Sequence, residues 1–520
     1  MQTDPTNQPA NSQSHIVRNT LLVAIFFGLA TGVGLLRNVI IARQFGLGAE
    51  LDAYFAAFKL PDLLFTIVAG GALATAFIPV FAEFLTQDDR PGAWRLASAI
   101  TNLVVLVVGS FAILAALVAP WLVSTLIAPG FTPGQQAETV SIMRLVLVST
   151  VVFGISAVQS SVLHGYRHFL LPALAPVLYP LGITAGALWL APSMGARGLA
   201  AGAILGAILH LLVKIPGLLH YGFRWQPVLD LKLQAVRRVL ILMGPRVLDL
   251  GVFHLTLVAT TNLASRLDAG SVSALEWGWD AMQIPETIIG TAFGLVAFPT
   301  LAALAAAGDI AGLRYTLGQT LRMIIVLTVP ATFGLILLGR PLLSIVYQRG
   351  AFDAAATDAV FIALQFYALG LTGHACLEVA ARAFFAQQDT VTPLIIAAIF
   401  GAINIGLAVL LMGPMGHGGL ALANALAISA EVVVLLVILH RRLGGVEAGE
   451  ILRTLGQAMV ASLVMGIVIL GIMQLGAGAI PLLALVAGAG LAGLAAYIGA
   501  GLLLRLRALV QLPLALLGRG

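Results

Sequence analysis

Apolar stretches of 20 or more residues follow one another along almost the whole chain, interrupted by short clusters of charge, proline and glycine. Each is long enough, as a helix, to cross a hydrocarbon layer roughly 30 Å thick. A soluble fold is excluded: 60% of the residues are hydrophobic and 9% charged, too little polar cover for a surface in water. A β-barrel is excluded as well, because its strands alternate polar and apolar residues over roughly ten positions. The expected class is an all-α polytopic membrane protein. The many glycines and alanines suit helices that pack closely in lipid through small side chains. Cys376 is the single cysteine, so neither an internal disulfide nor a cysteine metal cluster is available. The net charge of +5 reads as basic loops on one side of a membrane, not as a nucleic-acid footprint.

Breaking the chain at charge, Pro and Gly gives about fourteen spans, near 17–44, 52–85, 93–127, 137–164, 169–192, 197–220, 233–265, 272–306, 313–347, 354–386, 391–413, 417–440, 451–475 and 480–504. An even number puts both termini on one side. With that side cytoplasmic, the inner loops collect most of the basic residues, among them Arg90, Arg237, Arg238, Arg441 and Arg442. The polar first 15 residues read as a disordered cytoplasmic tail, and the apolar run after them as the first span, not a signal peptide.

The chain also repeats itself. An offset of 221 carries Pro120 to Pro341, Phe131 to Phe352, Pro172 to Pro393, and "GARGLA" (195–200) to "GHGGLA" (416–421). The expected organisation is therefore an N-lobe of six spans over 16–220, a cytoplasmic linker over 221–238 and a C-lobe of six spans over 239–442. Two extra spans over 443–507 and a tail over 508–520 follow. Six spans is an even number, so the lobes share an orientation and are related by a pseudo-twofold axis along the membrane normal, an arrangement of many transporters.

Charges inside spans are costly and mark cavities or partners. Arg37 lies two-thirds along span 1. Asp52 opens span 2, and Lys59 follows two turns later on the same face, before Pro61. Arg37 and Lys59 can line a hydrated cavity that attracts an anion, the arginine holding phosphate oxygens in a fork. A plainer reading has Lys59 snorkelling toward an interfacial Asp52. Arg246 and Asp249, three apart, and Glu378 and Arg382, four apart, read as mutually neutralising pairs. Arg144 is a lone group, and His254 reads as a satisfied structural histidine. "YQRGAFD" (347–353) reads as a turn. No nucleotide loop, metal cluster or nucleophile triad is present, so an enzyme is not expected and no cofactor is implied.

"RNVIIARQFGLGAELDAYFAAFKLPDLL", "GGALATAFIPVFAEF", "APGF" and "RAFFAQQDTVTP" occur in that order. Together they resemble the MurJ/MviN lipid II flippase family of the multidrug/oligosaccharidyl-lipid/polysaccharide exporter superfamily. The resemblance implies fourteen helices in two lobes. It implies alternating access for an undecaprenyl-pyrophosphate-linked peptide-saccharide, in the bacterial inner membrane during cell-wall biogenesis. It assigns Arg37 and Lys59 to the headgroup and Asp52 to gating; Arg43, Arg246 and Asp280 are possible accessory residues. Three further cavity arginines of that family are replaced here by Thr31, Phe65 and Ala281, and an acidic neighbour of Arg37 by Asn38. Two alternatives stand beside this reading: export of another polyprenyl-linked glycan or amphipathic molecule, and a degenerate paralogue serving as a membrane scaffold. A monomer is expected.

Overall fold

A computed structural model of the chain describes residues 8–69, 72–506 and 509. The side chains of Arg246 and Asp249 lie outside the described residues. Helices make up the described structure, with no strand among the described residues. In order they are α1 (Gln8–Phe45), α2 (Ala49–Ala69), α3 (Ala72–Thr86), α4 (Arg90–Leu122), α5 (Pro133–Gly165), α6 (Leu170–Ala185), α7 (Ala191–Met194), α8 (Ala196–Leu212) and α9 (Ile215–His220). They continue with α10 (Gln234–Ala264), α11 (Ser271–Glu286), α12 (Ala292–Ala306), α13 (Ile310–Tyr347), α14 (Ala354–Ala386), α15 (Val391–Leu443), α16 (Ala448–Leu475) and α17 (Leu482–Leu503). Short π-helical segments, Val123–Ile127, Gly186–Leu190 and Thr287–Thr291, extend α4, α6 and α11. The first turns of α1 fall within the stretch expected as a tail.

Among the described residues, eleven segments are long and apolar enough to span a membrane. The sequence suggested about fourteen, and the difference lies in three places. α15 holds two expected spans in one run of 53 residues, broken at Gly416, where φ is 57° and ψ −139°. The expected second span is described on either side of residues 70–71, as α2 and α3, and α2 carries Glu50, Asp52, Lys59 and Asp62. The expected span over 233–265 corresponds to α10, which lies partly outside the described side chains, at 244–250, 252 and 253.

The offset read from the sequence recurs in the junctions. Gly195 opens α8 at φ 59°, ψ −143°, nearly the conformation of Gly416. Both lie at positive φ, where glycine alone is unstrained. Asp89 caps α4 by accepting from Gly92 N (2.9 Å), and Asp309 caps α13 by accepting from Gly312 N (2.8 Å). Thr132 caps α5 through Gln135, and Asp353 caps α14 through Ala356. Arg167 and Gln388 both take left-handed backbone, at φ 57° and 60°.

The chain divides into two compact units, Met1–Asn262 and Leu263–Gly520, which groups most of α10 with the first, whereas the sequence boundaries group it with the second. In the first unit α5 is central, packed on α2, α4 and α8, while α6 lies between α1 and α8. Phe77, Phe81, Leu96, Ile100, Val158 and Leu163 fill its core. The segment after α9 is fastened to α4: Asn102 Nδ2 donates to Gln226 O (2.8 Å) and Val228 O (2.9 Å), Trp225 Nε1 donates to Asn102 Oδ1 (2.9 Å), and Arg95 pairs with Asp230 (2.7 Å). The expected linker is thus a strap.

In the second unit α14 packs on α11, α12, α13 and α15. Residues 347–353 are more than a turn. Tyr347 stacks on Trp277 (5.6 Å) and Phe352 packs on the same indole (5.2 Å). α16 and α17 join α13, where Tyr497 Oη donates to Val326 O (2.6 Å).

The two ends of α15 meet at Asp389. Its carboxylate accepts from Thr392 N (2.9 Å), Thr392 Oγ1 (2.6 Å) and Arg442 Nη1 (2.5 Å). Partial desolvation opposes ionisation there, but the hydrogen bonds from Thr392 and the Arg442 guanidinium prevail and hold the carboxyl at about 2. A carboxylate depressed in the fold adds stability above its unfolded value, and that contribution disappears as pH falls through the folded value. Asp389→Ala is expected to cost about 1 kcal/mol at neutral pH, as loss of a helix cap does. The difference in melting temperature between variant and wild type should shrink toward zero as the pH approaches 2. A constant difference across that range would assign the effect to packing.

Candidate functional site

The acidic and basic residues of α1 and α2 lie where apolar helices pack, so their surroundings decide their chemistry. α2 can carry them because it packs on α5 rather than lying free in lipid. Glu50, in its first turn, accepts from Ala196 N (2.7 Å) at the start of α8, a carboxylate on a helix N-terminus. Asp52, two residues on, is 1% exposed and is itself engaged within the fold.

Arg37 is half-buried. Its Nε and Nη2 donate to Asn38 Oδ1 at 3.0 and 2.8 Å. That acceptor is a neutral amide, so the guanidinium charge is not cancelled by its own hydrogen bonds. A guanidinium has five N–H donors. Among the described residues two of Arg37's are used. Tyr54 of α2 and Tyr179 of α6 both lie within electrostatic range of Arg37 and of Asp62. Beside them is a cavity of about 60 Å³ lined by Asp62, Phe65, Ser149, Thr150, Phe153 and Tyr179, with Pro61 and Val146. Phe65 meets Phe153 edge-on at 4.9 Å, and Phe153 meets Tyr179 at 4.8 Å. Of the three positions where the resemblance noted a replaced arginine, Phe65 is the one that lines this cavity.

Lys59 is 7% exposed and engaged within the fold. It is within electrostatic range of His254, a buried residue of α10. Arg37 thus lies near Tyr54 and Tyr179, and Lys59 near the histidine of α10. Arg43 is exposed in the last turn of α1, where a cation suits the helix dipole. Asp280 is exposed on α11, and Arg246 lies outside the described side chains. The expected Glu378–Arg382 pair is present, while Arg144, expected as a lone group, donates its Nε to Ala116 O (2.9 Å).

A larger concavity, about 380 Å³, lies away from these cations beneath the strap, lined by Thr101, Asn102, Gln159, Leu218, Phe223 and Trp225 among others. Its wall is mainly apolar and gives no grip on a charged group.

Two buried polar groups were not singled out in the sequence. Lys214 is fully buried, and its Nζ donates to Ser156 O (2.6 Å) and Ser160 Oγ (2.8 Å), with His210 Nδ1 at 3.5 Å. Glu431 is buried in α15. The signal for both was present: each is an ionisable residue inside an apolar run.

A family profile described as lipid II flippase MurJ matches residues 41–487. The chain is 31% identical over 436 residues to the lipid II flippase MurJ of Burkholderia cenocepacia, covering 82% of this chain and 84% of that one. It is 30% identical over 444 residues to a probable lipid II flippase MurJ of Rhizobium tropici, covering 84% and 83%. Among solved structures, the fold is similar to that of a lipid II flippase MurJ in an inward closed conformation, with TM-score 0.78 and 24% identity over 92% of this chain and 98% of that one. It is also similar to an inward-facing multidrug-resistance MATE transporter of the MOP superfamily, with TM-score 0.67 and 14% identity over 81% and 95%.

Proposed function

The chain belongs to the lipid II flippase MurJ family, and from that membership we propose how its residues move a lipid-linked cell-wall precursor across the bacterial inner membrane. The cargo is an undecaprenyl-pyrophosphate-linked saccharide whose peptide and sugars are too polar to cross lipid unaided. The observation that carries the reading is the half-buried Arg37 guanidinium, which spends its hydrogen bonds on a neutral amide and keeps donors for an anion. Guanidinium forks match phosphate oxygens in charge and geometry. Lys59 supplies a second positive charge and Asp52 a gate that exchanges cationic partners, while Arg43, Arg246 and Asp280 are accessory. The polyprenyl tail stays in lipid as the headgroup passes.

Transport runs by alternating access, with the site open first to the cytoplasmic and then to the outer side. Fourteen spans follow from counting α15 as two helices across Gly416 and adding α2 with α3, and α10. Both termini are then cytoplasmic, and two six-span repeats precede the last pair. The sequence holds no nucleotide-binding loop. A charge moved through 100 mV carries roughly 2.3 kcal/mol, enough to bias such a cycle.

The test is rescue of a strain depleted of its own lipid II flippase. Growth and normal cell shape are expected. Failure with normal membrane levels would transfer the protein to another polyprenyl-linked cargo, and native mass spectrometry of the purified protein would identify the lipid it carries.

A further inference from the structure

Glu431 is a buried glutamate in the apolar part of the second unit. It follows the break at Gly416 by four turns of α15 and precedes the helix end at Leu443 by about three, which puts it roughly 20 Å from either end. That is near the middle of a hydrocarbon layer about 30 Å thick. It is 7% exposed, on a buried stripe with Ala427, Leu435 and Leu439. Leu435, Leu439 and neighbouring Val432 belong to the core that contains Val379, Ala380 and Ile324. Among the described residues its carboxyl group makes no hydrogen bond and no ion pair.

The elements packed on α15 are α14 and α11. On α14 the titratable groups are Asp358, Tyr367, His374, Cys376, Glu378 and Arg382; on α11 they are Glu276, Asp280 and Glu286; on α15 itself they are His417, His440, Arg441 and Arg442. Several are committed elsewhere: His374 Nε2 to Asn424 Oδ1 (3.0 Å), Glu378 to Arg382, Asp358 to Arg340, and Arg442 to Asp389.

An ionised carboxylate without a partner in such a place costs several kcal/mol, and the group takes up a proton instead. A hard metal cation is a poor occupant, since it needs about six oxygen ligands. We propose that Glu431 is a proton-binding site of the transport cycle, filled in this conformation and emptied when the cycle brings water to that face of α15. A carboxylate oxygen takes one proton from water on one side and returns it to water on the other, with no other bond made or broken. The duplication supports the placement independently. The offset that aligns Gly195 with Gly416 aligns His210 with Glu431. His210 shares a hydrogen bond with Ser156 Oγ (2.7 Å), so the same point of each repeat holds a protonatable side chain, partnered in the first unit and solitary in the second.

The proposal rests on the flippase reading only for what the proton drives, and two measurements separate the parts. In the infrared spectrum of the purified protein in lipid nanodiscs, wild type should show a carboxylic-acid C=O band. The band should bleach as pH rises, be missing from Glu431→Gln, and persist in Glu431-intact Glu286→Gln. In proteoliposomes, the wild-type flipping rate should change by up to about tenfold per unit of imposed pH gradient, and that of Glu431→Gln should be flat. Glutamine has the shape of the protonated acid, so folding should be retained. A spectrum identical in wild type and Glu431→Gln at every pH, or a variant with the wild-type gradient response, overturns the proposal. If wild type flips no lipid at all, the function falls while the infrared band still decides the proton.

Discussion

Arg37→Ala is expected to reduce flipping of the lipid-linked headgroup by roughly 10²–10⁴-fold while leaving the folded protein in the membrane. A guanidinium that grips phosphate oxygens contributes two charge-assisted hydrogen bonds, each about 1.5–3 kcal/mol. Their joint loss gives that range at about 1.4 kcal/mol per decade. Little stability should be lost, because the bonds Arg37 makes within the fold go to the adjacent Asn38 and tie no two helices together. Arg37→Lys should not restore the rate, since a single ammonium cannot reproduce the fork. Lys59→Ala should also impair transport, with a larger effect on folding because Lys59 is buried and engaged. The measurements are flipping in proteoliposomes and co-purifying lipid by native mass spectrometry. Near-wild-type flipping by Arg37→Ala would refute the headgroup role. Rescue of growth by both variants would favour a scaffold.

The small number of cations around α2 makes this test sharper. With Phe65 packed on Phe153 beside the small cavity, the positive field near α2 rests on fewer groups. Removing one should cost more here than where several share the load.

How far the sequence reveals this arrangement varies with the kind of interaction. Helices are legible because apolar length alone demands them. The break in α15 is legible because "GHGGLA" repeats "GARGLA" at a fixed offset, and Gly416 and Gly195 do share one backbone conformation. The Glu378–Arg382 pair is legible because four residues is one helical turn. The π segments are not, since they shift backbone hydrogen bonds without altering the side-chain pattern. The neighbours of Arg37 and Lys59 are not legible either. Residues 37, 54 and 179 are brought near one another by the packing of α1 on α6 and α2 on α5, which no local pattern encodes. The strap over α4 escapes for the same reason: its bonds from Asn102 reach more than a hundred residues along the chain.

Gly202→Val should prevent α6 and α8 from docking and remove most folded protein from the membrane. The two helices meet through bare backbone. A Cβ on Gly202 would lie 2.6 Å from Gly182 O and 2.9 Å from Gly186 Cα; one on Gly182 would lie 2.3 Å from Gly206 Cα. These are main-chain atoms and cannot swing aside as a side chain would. Overfilling a packed site typically costs about 1–3 kcal/mol even where side chains can adjust, so a branched residue against fixed backbone should exceed that range. Spacings of four residues within 182–186 and 198–206 place the glycines on one face of each helix, the small-residue geometry that lets membrane helices approach closely. The consequence reaches the candidate site, because α6 carries Tyr179 and α8 begins against Glu50 of α2. Gly406→Ala is the control. Nothing lies within 4 Å of its added Cβ, and alanine favours a helix over glycine by about 1 kcal/mol. Monodispersity and melting temperature in detergent should separate the two variants clearly. A Gly202→Val protein that melts like wild type would mean that the close approach of α6 and α8 is not what holds the first unit together.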